Sequence, residues 1–253
     1  MLILIQFLLR TSFGMAGAMA LTSAKQVTSG YYRNHLYVLL GLNVLATLAA
    51  LSHREQFTLW PPLAAAILSY AGSVAWLYEK KRAGVLLLSA ISAVSLTGAW
   101  LTAPQVAATA VELPGAAILR YLDPLSGGLL LGTTLAAMFL GHWYLNTPTM
   151  KLEPLRKLVM AMGAATLMRG VVCGAGLILA WRFLGAHAVS PWFVLLHWLA
   201  GILGTMVVVW MTWETLKIPN TQSATGILYV GVILTFIGEL SSLLMLQGLP
   251  YPL

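Results

Sequence analysis

The chemistry this sequence can offer lies in charged and imidazole side chains set inside long apolar runs. Arg10, Arg169 and Glu239 each interrupt a stretch of about twenty mostly apolar residues. An ionised group placed in hydrocarbon costs about 2.5–3.5 kcal/mol or more, so such groups pair or serve a site. Counting helical rise from the nearest span end, all three fall in the outer half of a bilayer or just past its midplane. Two arginines and one glutamate at similar depth should meet. Their meeting is either a helix-locking ion pair, a seat for an anionic head group or quinone carbonyl, or a proton-relay carboxylate.

Histidine is the second signal. His142 (in Gly141-His142-Trp143-Tyr144) and His197 (in Leu196-His197-Trp198) lie inside apolar runs, whereas His35, His53 and His187 lie at their ends. His35 and His142 group near one face, and His53, His187 and His197 near the other. His142 and His197 are about 18 Å apart along the membrane normal, so they cannot share one haem. A haem b between helices needs one or two neutral imidazoles, room for a flat macrocycle and positive groups for its propionates. Gly201 and Gly204 follow His197 at i+4 and i+7 and clear one helical face for a porphyrin. Arg10 and Arg169 are available for propionates or a quinone oxygen. The haem iron would be held through His142 or His197, and the expected cofactor-binding set is His35, His142, His187, His197, Arg10 and Arg169. The competing account makes each histidine a helix-to-helix hydrogen-bond donor.

The elements that must position these groups follow from composition. The 253 residues are 59% hydrophobic and 8% charged, with a mean hydropathy of +0.85. A soluble domain is about 25% charged, so a water-soluble globule is excluded, as is a disordered chain. What remains is an all-α, polytopic integral membrane bundle with the lipid bilayer as its first partner. Eight spans of bilayer length are expected at about 2–22, 35–52, 58–78, 83–103, 124–146, 157–184, 191–215 and 223–246. Prolines punctuate them: Pro61-Pro62, Pro124 and Pro191 open spans, and Pro104, Pro148 and Pro219 follow their ends. Ala18-Met19-Ala20 resembles a cleavage site, but no basic region precedes it, so 2–22 is read as a retained first span.

Loop charge sets the orientation. Nine of the 14 Lys and Arg fall in the loops after spans one, three, five and seven, and three in the opposite loops. The positive-inside rule then places both termini on the non-cytoplasmic side of the inner (plasma) membrane. It also explains the net charge of +7 without nucleic acid. The chain reads as one transmembrane domain of two four-helix halves, about 1–103 and 124–253. An outer interfacial segment, 104–123, joins them. No repeat relates the halves. Gly14-x-x-x-Ala18 and Gly170-x-x-x-Gly174 are small-residue patterns for close helix approach. Asn220 or Thr221 caps the last span.

Several enzyme classes are absent. There is no phosphate-binding glycine loop, no His-Glu-x-x-His and no Gly-x-Ser-x-Gly. The one cysteine, Cys173, forbids a disulfide or a cysteine-based cluster within the chain, and the one aspartate, Asp123, excludes aspartate-pair chemistry. The expected function is a non-catalytic membrane subunit of an electron-transfer, respiratory-type complex. It would bind haem b or quinone and associate with membrane and peripheral subunits. The other classes are a carrier or channel built on Arg10, Arg169 and Glu239, and a scaffold subunit.

Overall fold

The computed structural model describes residues 1–52, 56–103, 113–147, 149–185, 190–218 and 220–253, with the side chains of residues 56 and 57 left aside. Eight helices occur among them: α1 (Leu2–Leu21), α2 (Ser29–Leu51), α3 (Gln56–Leu77), α4 (Lys81–Leu101), α5 (Ala116–Asn146), α6 (Glu153–Leu184), α7 (Pro191–Lys217) and α8 (Thr221–Met245). The described residues contain no strand. All but α3 are long and apolar enough to cross a membrane, which gives seven such helices. In α3 the aliphatic residues are diluted by Pro61, Pro62, Ser69, Tyr70 and Ser73. This is a multi-pass membrane protein.

The central pair is α1 and α5, the two membrane-length helices with the largest buried shares. Helices α2, α4, α6 and α8 pack against them, α3 packs on α2 and α4, and α7 packs on α6 and α8. Their approach is set by glycine. A Cβ on Gly132 would lie 1.8 Å from the carbonyl carbon of Gly14, and one on Gly14 would lie 1.8 Å from the carbonyl oxygen of Gly128. Backbone meets backbone there, so the first small-residue pattern finds its partner on α5. The second, Gly170 and Gly174, makes only ordinary contact with Ile202 and Trp198 of α7.

Helix ends follow the local sequence. Pro191 opens α7, Pro154 lies in the first turn of α6, and Asn220 caps α8 by accepting a hydrogen bond from the Ser223 amide at 3.0 Å. Two departures from the sequence reading matter. First, α5 does not start at Pro124. It starts at Ala116, with Gly115 before it at a φ of +75°, and Pro124 lies within the helix. The part of the expected interfacial segment that is described therefore belongs largely to α5, and residues 104–112 lie outside the described residues. Pro124 is the ninth residue of α5, where it removes one i→i−4 bond, and burial of the turns that precede it offsets that loss. The apolar run Ala116–Leu119 supplies the preceding turn, of which Ala116 and Leu119 are buried. Second, α7 is interrupted by a π-helical stretch, His197–Gly204.

After α8 the chain folds back into the bundle. Leu249, Tyr251 and Leu253 are buried, and the Tyr251 hydroxyl donates to the Pro114 carbonyl at 3.1 Å. Pro252 lies against Gly176 of α6, where a Cβ would lie 1.7 Å from its carbonyl oxygen.

Candidate functional site

Arg10, Asp123, Arg169 and Glu239 form one network inside the bundle, each at most 2% exposed. They come from α1, α5, α6 and α8. Arg169 is the centre. Its Nε donates to Glu239 Oε1 at 2.8 Å and its Nη2 to Glu239 Oε2 at 3.0 Å, a two-pronged pairing. Its Nη1 donates to Asp123 Oδ1 at 2.7 Å and lies 3.2 Å from Ser126 Oγ, while Nη2 also reaches Ser242 Oγ at 3.0 Å. The other Asp123 oxygen, Oδ2, accepts from Arg10 Nη2 at 2.5 Å. Asp123 thus bridges two guanidinium groups, and the four formal charges cancel.

The network is continued by neutral groups. Arg10 Nε donates to Gln6 Oε1 at 2.9 Å, and Gln6 Nε2 donates to the Ala99 carbonyl and to Thr102 Oγ1 at 2.6 and 2.7 Å. Helix α4 is tied in by that route. Gly127 makes room on α5, since a Cβ there would stand 2.4 Å from Glu239 Oε2 and 3.4 Å from Arg10 Nη1. On the tail side, Ser242 Oγ donates to the Leu253 carbonyl at 3.3 Å. Burial on this scale forces such saturation, because an unpaired charge in a low-dielectric interior is far more costly than a paired one.

Seven buried side-chain polar atoms have no partner among the described residues, and two of them adjoin the network: Arg10 Nη1 and His197 Nε2. His197 is fully buried, at the head of the π-helical stretch, and its Nδ1 is 2.8 Å from the Gly238 carbonyl oxygen. A carbonyl only accepts, so Nδ1 carries the proton and Nε2 presents a lone pair. Gly238 directly precedes Glu239, which brings this imidazole to the edge of the charged network.

The glycines of α7 do not clear a slot for a macrocycle. Gly201 packs on Gly238, where a Cβ would meet the facing Cα at 2.8 Å, and Gly204 faces Leu234. Helix α8 occupies the space the sequence reading left for a porphyrin. His35 is packed on both sides, its ring centroid 4.5 Å from those of Tyr31 and Phe139, and its Nδ1 is 2.6 Å from the Tyr31 carbonyl oxygen. His142 lies on the outer face of the bundle, 3.3 Å from the Tyr229 hydroxyl. His53 and His187 lie outside the described residues. Among the described residues no group of three or more His, Cys, Asp or Glu could hold a metal ion.

Sequence reasoning missed Asp123, which it left in a loop. The signal was present: Asp123, Ser126, Gly127, Leu130 and Thr134 recur at helical spacing and all are buried. No protein-family model matches the chain, and neither a curated protein nor a solved structure matches it.

Proposed function

We propose that the chain is a proton-coupled membrane carrier whose working element is the Arg10–Asp123–Arg169–Glu239 network. The observation that carries this reading is the pair of unpartnered buried atoms beside it, Arg10 Nη1 and His197 Nε2. Buried polar atoms without a partner also occur away from the network, but among the described residues only here do a free cationic donor and a free imidazole nitrogen adjoin buried carboxylates. A site that accepts a proton and an anionic group needs both. Transfer of a proton from water to Glu239 would cancel its charge and release one prong of Arg169. The four-helix clamp would then have two states of different charge. The π-helical stretch of α7 supports the same reading, since such segments accumulate at functional sites.

Reconstituted vesicles test it. With inorganic phosphate, chloride or succinate supplied on the acidic side, wild-type protein is expected to dissipate an imposed pH gradient, and Glu239→Gln, its fold checked by circular dichroism, to reduce that flux at least tenfold. Undiminished flux in Glu239→Gln overturns the reading.

A second reading keeps the electron-transfer subunit, with haem b or quinone and partner subunits. It is favoured by His197, because a fixed Nδ1–H and a free Nε2 are how ligating imidazoles are held, but a haem there requires α8 to move off the Gly201–Gly204 face. A reduced-minus-oxidised b-type band that His197→Ala or His142→Ala abolishes would establish it over the carrier.

The eighth crossing, by α3, and the outward termini also belong to this proposal, supported by the charged loops. A cysteine placed at Lys81 is expected to resist membrane-impermeant labelling from outside intact cells. Ready labelling there reverses the orientation.

A further inference from the structure

The floor of a second feature is the same α1–α5 pair, on the side away from the tail. Helices α4 and α6 both flank this floor but make at most isolated contacts with each other. Between them lies a cleft of about 510 Å³ that opens sideways from the bundle. Its deep end holds Phe13, Leu96 and Leu129, and Leu158 and Ala161 line the α6 wall. The Ser92 hydroxyl on its wall is already committed to the Phe13 carbonyl at 3.0 Å, so the interior offers little but hydrocarbon.

The mouth differs. Ser23, Gln26 and Lys157 line it, where α1 ends and α6 begins. Lys157 is 70% exposed and its one acidic neighbour is Glu153, 3.3 Å away and itself exposed. Lys25 stands in the segment that follows α1, so the mouth keeps a net positive charge, whereas Arg156 is turned away and donates to the Leu216 carbonyl of α7 at 2.8 Å. From Phe13 to Leu21 the α1 wall runs about 12 Å, the depth of a good part of an acyl chain.

We propose that this cleft holds one acidic glycerophospholipid, an acyl chain between α4 and α6 and its phosphate at Lys157 and Gln26. Volume, lateral opening and charge each select for it. Clefts that retain small ligands measure about 300–1,000 Å³. A lipid enters sideways from the bilayer, and a basic interfacial residue favours an anionic head. This site is independent of the charged network and of the carrier reading.

The test is native mass spectrometry of the full chain in mixed micelles of phosphatidylglycerol or phosphatidylcholine with matched acyl chains. Wild type is expected to retain one phosphatidylglycerol and to prefer it over phosphatidylcholine. Lys157→Gln should cut that preference about fivefold, the worth of one basic group near a membrane surface. Ala93→Trp, which fills the cleft from the exposed wall of α4, should abolish retention at an unchanged melting temperature. Ala161→Phe does the same from the α6 wall should Ala93→Trp fail to fold. Equal retention of both lipids, retention in the filled variants, or a co-purified neutral quinone in place of phospholipid would overturn the proposal.

Discussion

Arg169→Ala is expected to leave almost no folded protein in the membrane. Arg169 supplies both hydrogen bonds that Glu239 receives from a charged partner, and one of the two guanidinium bonds to the Asp123 carboxylate. Truncation leaves Glu239 as a carboxylate with 0% exposure and no counter-charge. Removing one member of a buried ion pair costs about 3–5 kcal/mol, a large part of what holds any domain together. Arg10→Met should be milder, because Asp123 would retain Arg169. Arg169→Lys should rescue little, since a single ammonium cannot span both Glu239 oxygens and Asp123 at once. The decisive comparison is Arg169→Met alone against Arg169→Met with Glu239→Gln. The double variant removes the charge together with its partner and is expected to be the more stable of the two. Unfolding in mixed micelles, followed by circular dichroism, ranks the series. Equal losses in the single and double variants would mean that the pair is not energetically coupled.

What could be read from the sequence, and what could not, divides along physical lines. The helical class and membrane-length helices follow from hydropathy, because lipid demands twenty apolar residues whatever the tertiary packing. Three charges of the network are visible for the same reason: each stands alone in an apolar run. Asp123 is not, because proline carries two meanings. It opens a helix or lies within its early turns, and the sequence reading gave Pro124 the first meaning when α5 has the second. That single choice moved the only aspartate from the bundle core to a loop, and with it the residue that joins the two arginines. Gly201 and Gly204 were misread in another way. A glycine says that something approaches closely; it does not say whether that is a cofactor or a neighbouring backbone. Here it is Gly238 and Leu234 of α8. The π-helical stretch carries no sequence mark, since its backbone register is settled by tertiary contact.

The same ambiguity makes glycine the sharpest probe of the α1–α5 contact. Gly132→Ala is expected to be among the most damaging methyl additions in the chain. The new Cβ would lie 1.8 Å from the Gly14 carbonyl carbon and 2.0 Å from the Met15 amide nitrogen. Both are backbone atoms, and neither can rotate away as a side chain would. The helices must separate, and overpacking of this kind costs about 1–3 kcal/mol or more. The damage should not stay local. Arg10 is one turn before Gly14 on α1, and Asp123 stands on α5 about 13 Å before Gly132. Separating the helices therefore stretches the 2.5 Å bond between Arg10 and Asp123, and stability and proton flux should fall together. Gly41→Ala and Gly226→Ala are the controls, since a Cβ at either position meets nothing within 4 Å. Both lie inside helices, where alanine is the better helix former, and each should change stability by no more than about 1 kcal/mol. If Gly132→Ala melts with these controls, α1 and α5 do not meet at this register, and the placement of Arg10 against Asp123 falls with it.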